Sequence, residues 1–129
     1  MRFVPTRIHG YIDYLTAIVL IVMPWAGGFA ANGAETWVPV VLGLGIVGYS
    51  LCTDYECSVR RDLPMTTHLA LDAGGGALLA VSPWLFGFAD RVWVPFVVIG
   101  LFEIAASLMT QTSPSAARTG MMRGAAGRI

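Results

Sequence analysis

Two His–Asp pairs carry most of the chemistry that this sequence offers. His9 and Asp13 are four residues apart, and so are His68 and Asp72. On a helix this spacing places both side chains of a pair on one face, one turn apart. Imidazole and carboxylate groups bind protons and transition-metal ions. If the two faces meet, the four side chains form one cluster of two His and two Asp.

Three interpretations of these pairs stay open. In the first, each Asp accepts a hydrogen bond from its own His or from an Arg and ties two halves of the protein together. In the second, the same titratable groups conduct protons or ions. The third, a lesser alternative, is a metal or haem site held by the paired His. Because the sequence has no recognised signature for such a site, we expect no cofactor.

Glu103 is a further candidate, because it is an acid inside an apolar segment. A carboxylate in that position is neutral, paired or in contact with water. We expect it to pair with His9 or His68, or to accept a hydrogen bond from Ser107 on the same helix face. The sequence repeat described below aligns it with Val47.

The two cysteines, Cys52 and Cys57, are too few for a disulfide framework. Together with Asp54, Glu56 and His68 they offer a weaker candidate metal site.

Composition indicates how such residues are positioned. Hydrophobic residues make up 56% of the 129 residues and charged residues only 12%, which is unlike a soluble domain. The net charge is zero, so no nucleic-acid partner is indicated. Hydropathy predicts four membrane-spanning helices, since each apolar segment approaches the length that crosses a bilayer. The predicted spans are Tyr11–Phe29, Trp37–Leu51, Leu69–Phe88 and Val92–Met109.

Small residues are frequent within two of these spans. The segment Gly43–Gly48 is spelled like a dinucleotide-binding fingerprint, but it has neither the strand nor the βαβ unit that the fingerprint requires. We therefore predict that its glycines, and those of Ala73–Ala77, allow close contacts between helices.

The chain is a tandem repeat with an offset of 59 residues. The matched residues of the first unit are Arg2, Pro5, His9, Asp13, Pro24, Trp25, Gly28 and Phe29, and those of the second are Arg61, Pro64, His68, Asp72, Pro83, Trp84, Gly87 and Phe88. Each unit contains two spans, so both units enter the membrane from the same side. The sequence thus predicts an all-α bundle of four transmembrane helices, made of two parallel helical-hairpin repeats.

Arginine positions predict the orientation. All the arginines except Arg91 fall on one side of the predicted bundle, which by the positive-inside rule is the cytoplasmic side. Both termini are then cytoplasmic and the protein lies in the inner membrane. The tryptophans agree with this frame, because all of them lie at the outer ends of spans, where they anchor helices at the interface: Trp25, Trp37, Trp84 and Trp93.

The segment Ser82–Phe88, with its partner Met23–Phe29, resembles the SPW repeat family of small bacterial and archaeal membrane proteins. The first unit departs from the motif, because Met23 stands where the family has Ser. This resemblance supports the topology and implies no catalytic residues. From the residues themselves, Ser-Pro indicates a helix that restarts or bends near the outer interface.

The function predicted from the sequence is a non-enzymatic membrane protein that acts by association with itself or with another membrane protein, and its immediate partner is the lipid bilayer. The alternative is a proton or ion conductor that uses the His–Asp pairs. We place the membrane domain at residues 1–114, with repeats over about 2–54 and 61–114. We expect residues 115–129 to form a flexible cytoplasmic tail; in the alternative, its arginines rest on anionic headgroups.

Overall fold

The computed structural model describes residues 1–113. It contains four α-helices: α1 (Thr6–Ala26), α2 (Ala34–Leu51), α3 (Met65–Leu85) and α4 (Val94–Met109). Helix α1 packs along α2 and α3 packs along α4, whereas contact between the two hairpins is less extensive. The prediction of an all-α bundle of two helical hairpins is confirmed. The predicted cytoplasmic tail lies outside the described residues.

Helices α1 and α3 begin one turn earlier than the predicted spans, directly after Pro5 and Pro64. Each proline has extended backbone angles, and its carbonyl accepts the hydrogen bond of the first helical turn, from His9 N–H at 3.0 Å and from His68 N–H at 3.1 Å. Hydropathy missed this turn because it contains polar residues. As a result both His–Asp pairs lie entirely within helices.

The outer ends of α1 and α3 correct the expectation of a helix restart at Pro24 and Pro83. Both helices continue through these prolines and end two residues later. The chain then turns at Gly28 and Gly87, whose positive φ angles of 70° and 75° favour glycine. At each end the proline carbonyl accepts two backbone N–H groups, those of Phe29 and Ala30 in α1 and those of Phe88 and Ala89 in α3.

Not all four helices have both the length and the hydropathy expected of a membrane span. Helices α1 and α2 are long and apolar enough to cross a membrane, and α4 is apolar but has 16 residues. Helix α3 has 21 residues, and polar and glycine residues lower its hydropathy.

Glycine contacts hold each hairpin together. A Cβ atom on Gly43 of α2 would lie 2.9 Å from the Ala17 carbonyl oxygen of α1, and one on Gly76 of α3 would lie 2.7 Å from the Gly100 carbonyl oxygen of α4. For these glycines the predicted close contacts are present. The prediction is wrong for the remaining glycines of the two segments, around which a Cβ atom would meet nothing within 4 Å: Gly45, Gly48, Gly74 and Gly75.

Isolated bridges join the repeats reciprocally at the end of the bundle that carries the His residues. Thr53, after α2, pairs with Leu63 before α3, and Thr110, after α4, pairs with Val4 before α1. Leu63 is the equivalent of Val4 at the 59-residue offset. Each hairpin therefore ends against the start of the other repeat.

The interior differs along the length of the bundle. Toward the ends that carry the Pro-Trp motifs, the core is apolar and includes Leu20, Ile46, Leu79 and Phe96. Toward the opposite end the buried side chains are largely polar, and they include the two His–Asp pairs.

Candidate functional site

The structure brings the two predicted pairs together into one cluster, called here the His–Asp centre: His9, Asp13, His68 and Asp72. The first two lie on α1 and the other two on α3, as the fourth and eighth residues of each helix. All four side chains are 0–2% exposed. Because the two helices are equivalent in the repeat, their polar faces meet across the bundle axis.

Each carboxylate contacts the imidazoles of both repeats. His9 Nε2 lies 2.8 Å from Asp72 Oδ2 and 3.1 Å from Asp13 Oδ1. His68 Nε2 lies 2.9 Å from Asp13 Oδ2 and 3.2 Å from Asp72 Oδ2. The shorter contact of each His is with the Asp of the other repeat, where the sequence suggested its own Asp. No arginine takes part among the hydrogen bonds of the described chain.

The other ring nitrogen of His68 faces a threonine. Thr53 Oγ1 donates a hydrogen bond to the Tyr49 carbonyl oxygen at 2.6 Å and lies 2.7 Å from His68 Nδ1. A hydroxyl has a single proton to donate, so His68 Nδ1 must carry the proton of the second bond. This fixes the tautomer and directs Nε2 into the centre.

His9 has the same environment in the other repeat. Thr110 Oγ1 donates to the Ala106 carbonyl oxygen at 2.6 Å and accepts a hydrogen bond from His9 Nδ1 at 2.9 Å. Thr53 and Thr110 are both fully buried. Sequence analysis missed both threonines, although each follows the second helix of its repeat.

The proton count of the centre follows from these two tautomers. With protons fixed on both Nδ1 atoms, each neutral imidazole presents a lone pair at Nε2. This lone pair and the carboxylate oxygens repel each other unless a proton or a metal ion lies between them. Two buried carboxylates also need two positive charges nearby. The centre therefore requires two protons shared between Nε2 and carboxylate oxygens, or one divalent cation in their place.

The two repeats differ at one contact to the centre. The Tyr49 hydroxyl donates to Asp72 Oδ1 at 2.6 Å, whereas Asp13 Oδ1 has no hydrogen bond of good geometry. From Gly43 onward, buried positions of α2 and α4 match at an offset of 57 residues, which places Ala106 opposite Tyr49. Only one Asp therefore has a tyrosine partner.

The connection between α2 and α3 covers the His–Asp centre at the end of the bundle where α1 and α3 begin. Tyr55 is 1% exposed, and its ring centroid lies 5.4 Å from that of His68. Gly10 makes room for this connection, since a Cβ atom there would lie 2.6 Å from the Tyr55 ring and 2.7 Å from Cys57 Sγ. Burial raises the pKa of the Tyr55 phenol and of the Cys57 thiol. Both groups are therefore neutral at physiological pH.

Glu103 lies outside the centre. It is 2% exposed, and neither carboxylate oxygen has a hydrogen bond of good geometry within the described residues, although Thr16 lies near it. The expected pairing with His9 or His68 is wrong, because both imidazoles are occupied by Asp and Thr. The expected bond from Ser107 is also wrong, since that hydroxyl donates to the Ile104 carbonyl oxygen at 2.8 Å.

The register of α4 changes the repeat partner of Glu103. At the 57-residue offset, Glu103 aligns with Ile46, which is equally directed into the bundle, and not with Val47. The acid of one repeat thus stands where the other has a buried apolar side chain.

The cysteines form a separate feature. Both are free, and Cys57 Sγ contacts the Arg7 carbonyl oxygen at 3.6 Å. His68 faces the centre and is not available to them. The group of potential metal ligands that the described chain does gather is the His–Asp centre, whose donor atoms all lie within 4.8 Å of one another.

Comparison with known families accounts for the repeat. A family model described as the SPW repeat domain matches residues 7–110. The chain belongs to the SPW repeat family. Searches of curated proteins and of solved structures each found no match to it.

The SPW motif itself has a structural explanation here. Pro83 has no N–H group to donate to the Leu79 carbonyl oxygen, four residues earlier. The buried Ser82 hydroxyl donates to that same oxygen at 2.7 Å. In the first repeat Met23 takes the Ser position, so no side chain of that position can replace the bond that Pro24 removes.

The tryptophans of the SPW repeats lie at the surface. Trp25, Trp37, Trp84 and Trp93 are 46–58% exposed, and Trp84 packs against Trp93 with ring centroids 5.9 Å apart. They lie at the end of the bundle opposite the His–Asp centre.

Proposed function

We propose that this SPW repeat protein is a multi-pass membrane protein whose four helices all cross the bilayer, and that it binds one divalent transition-metal ion at the His–Asp centre. The metal joins the two repeats. The observation that carries this proposal is the convergence of four donor atoms, two imidazole nitrogens and two carboxylates, at one buried point.

Surface chemistry supports the membrane environment. Large apolar side chains are exposed along the outward faces of all four helices, while many buried side chains are polar. Examples of exposed residues are Leu15, Val41, Leu71 and Leu101. Water would disfavour so continuous an apolar surface. In lipid the same surface is solvated, and α3 can span because its polar face is turned inward.

Charge supports the predicted orientation. Arg2 donates hydrogen bonds to the Ser107 and Thr110 carbonyl oxygens at the end of α4 that carries the His–Asp centre. At the other end of the bundle, Arg91 forms an ion pair with the buried Glu35. Among the described residues, Arg91 is the one arginine at that end, and the others lie at the end that carries the His–Asp centre, as expected if that end faces the cytoplasm.

Distances within the centre suit a metal ion. Tetrahedral zinc binds nitrogen and oxygen at about 2.0–2.2 Å, which separates neighbouring ligands by roughly 3.3 Å. The Nε2–oxygen distances between His and Asp are 2.8–3.2 Å, and the four donor atoms all lie within 4.8 Å of one another. Binding of the ion therefore requires the close His–Asp contacts to lengthen and the most widely separated donors to approach each other. A divalent ion also supplies the two positive charges that the carboxylates require.

Hydrogen bonds around the centre support the same ligand. Metal-bound imidazoles usually donate their second N–H to an oxygen that fixes their orientation. Thr53 and Thr110 accept such bonds from His68 and His9.

The arrangement favours a binding role over catalysis or conduction. Four protein ligands complete a tetrahedral site, whereas catalytic zinc sites keep one position open to water or substrate. A proton conductor would need water access to the His–Asp pairs, and these side chains are 0–2% exposed. Association with itself or with another membrane protein stays a prediction.

Metal content of the purified protein tests the proposal. After removal of metal with a chelator and addition of Co²⁺ or Zn²⁺, we expect one ion per chain, with the visible absorption of tetrahedral Co²⁺. Replacement of His68 with Ala should abolish binding. Thr53→Val keeps all four ligands and should weaken binding by about 10- to 100-fold.

Glu103→Gln is the matched control, because it changes a buried acid outside the centre and should leave metal binding unchanged. Absence of bound metal, or equal binding by the His68→Ala variant, would overturn the proposal. Proton flux into proteoliposomes that is lost in the His9→Ala, His68→Ala double variant would instead establish the conductor.

A further inference from the structure

A cavity of about 350 Å³ lies between α2 and α3. It exists because three glycines face it, Gly45, Gly74 and Gly75, where a Cβ atom would meet nothing within 4 Å. Its rim includes Val41 and Leu78, which are 62% and 40% exposed. The cavity therefore opens at the apolar surface of the bundle, toward lipid in the proposed arrangement.

Three polar side chains line the inner part of this cavity: Tyr49, Asp72 and Glu103. Two of them are already partnered, since the Tyr49 hydroxyl donates to Asp72 Oδ1 at 2.6 Å and Asp72 Oδ2 lies 2.8 Å from His9 Nε2. Glu103 is different. Although Thr16 lies near it, neither carboxylate oxygen has a hydrogen bond of good geometry.

These features define the chemistry of a ligand. A buried carboxylate without a partner is costly, and a cation that donates hydrogen bonds to it removes that cost. The walls are formed by aliphatic side chains, among them Leu20, Leu71 and Leu79, and they suit a hydrophobic body. The volume is within the range of small-molecule sites.

We propose that this cavity binds an apolar amine, a single ammonium group on a compact hydrophobic body, which enters from the bilayer and pairs with Glu103. When Glu103 is ionised, the polar lining groups have no free hydrogen-bond donor, and this disfavours an acid in the same place. The cavity borders the His–Asp centre at Asp72, but the ammonium group pairs with Glu103, which is not one of the proposed metal ligands.

Binding of 1-adamantylamine to the protein in lipid nanodiscs tests the proposal, with neutral 1-adamantanol as the matched ligand. At pH 7 the amine is a cation, and we expect saturable binding of one molecule per chain, at least about tenfold tighter than the alcohol. Glu103→Gln should remove this tenfold preference while leaving the weak binding of the alcohol unchanged.

Filling the cavity provides a second variant. Gly75→Leu should abolish binding of both ligands, whereas Gly48→Leu should not, because Gly48 also faces open space but lies outside the cavity lining. Equal affinity for amine and alcohol, or an unchanged amine affinity in Glu103→Gln, would overturn the proposal. Zinc binding measured on the same samples reports separately on the His–Asp centre.

Discussion

At the scale of single residues, hydroxyl groups determine what their neighbours can do. Thr53 and Thr110 leave each imidazole with its Nε2 atom directed at the carboxylates. Ser82 supplies the hydrogen bond that Pro83 cannot. In both cases one side-chain hydroxyl completes the hydrogen bonding of a buried group, an imidazole in the first case and the Leu79 carbonyl group in the second. Removal of that hydroxyl should therefore affect this one group.

Replacement of Ser82 with Ala should lower the free energy of unfolding by about 1 kcal/mol, because the Leu79 carbonyl oxygen loses the hydroxyl and has no N–H group of Pro83 in reserve. The measurement is reversible unfolding in SDS and detergent mixtures. Ser107→Ala is the control, since the Ser107 hydroxyl also donates three residues back, but Leu108 can still donate to the Ile104 carbonyl oxygen. Equal losses in the two variants would contradict this explanation of the motif.

At the scale of the helices, packing within a hairpin depends on glycines whose sequence context does not distinguish them. Gly76 is in contact with the backbone of α4, while Gly74, two residues earlier, faces open space. The two positions differ by about 200° around the helix. One glycine therefore closes the hairpin and the other leaves the cavity.

Gly76→Ala should lower the free energy of unfolding by about 1–3 kcal/mol, because its Cβ atom would lie 2.7 Å from the Gly100 carbonyl oxygen, a backbone atom that cannot turn aside. Gly74→Ala should be neutral or stabilising by up to about 1 kcal/mol. Thermal unfolding in one detergent compares the pair. The packing model is wrong if Gly74→Ala is the more damaging of the two.

The repeated His and Asp predicted the right helices, because an i,i+4 pair on each of two equivalent helices defines a face. Thr53 and Thr110 were not predicted from the sequence, because the offset between equivalent residues of the two repeats is not constant. It is 59 residues in the first helix of each repeat and 57 residues in the latter half of the second helix. The same change explains the wrong counterpart for Glu103. Hydropathy placed the starts of α1 and α3 one turn late, because the first turn of each helix contains polar residues, of which only some, such as His9 and His68, are turned inward.

At the scale of the whole molecule, an apolar exterior surrounds an interior that is polar at the end where α1 and α3 begin and apolar near the Pro-Trp motifs. This arrangement makes the bundle asymmetric along its length. In a bilayer, a cluster of ionisable groups near one face costs less free energy than the same cluster at the midpoint. The orientation of the bundle in a membrane would therefore determine near which compartment the His–Asp centre lies.

Single-cysteine variants test that orientation. In a background where Cys52 and Cys57 are Ser, Asn32→Cys should react with a membrane-impermeant maleimide on intact cells, whereas Val59→Cys should react only after the membrane is opened. Both positions are exposed, Val59 by 82%, so accessibility within the protein is matched. The reverse labelling pattern would invert the proposed topology, and labelling of both on intact cells would exclude it.

The reciprocal bridges and the crossed His–Asp contacts are what two identical hairpins would make around a twofold axis. Each repeat contributes one His and one Asp to the centre, and each His makes its shorter contact with the Asp of the other repeat. The fold therefore has the symmetry of a homodimer whose two subunits are joined in one chain. Because the halves belong to one chain, they can differ: a homodimer would carry two copies of Glu103 or none, whereas this chain has Glu103 in one repeat and Ile46 at the equivalent position of the other, and likewise Tyr49 and Ala106.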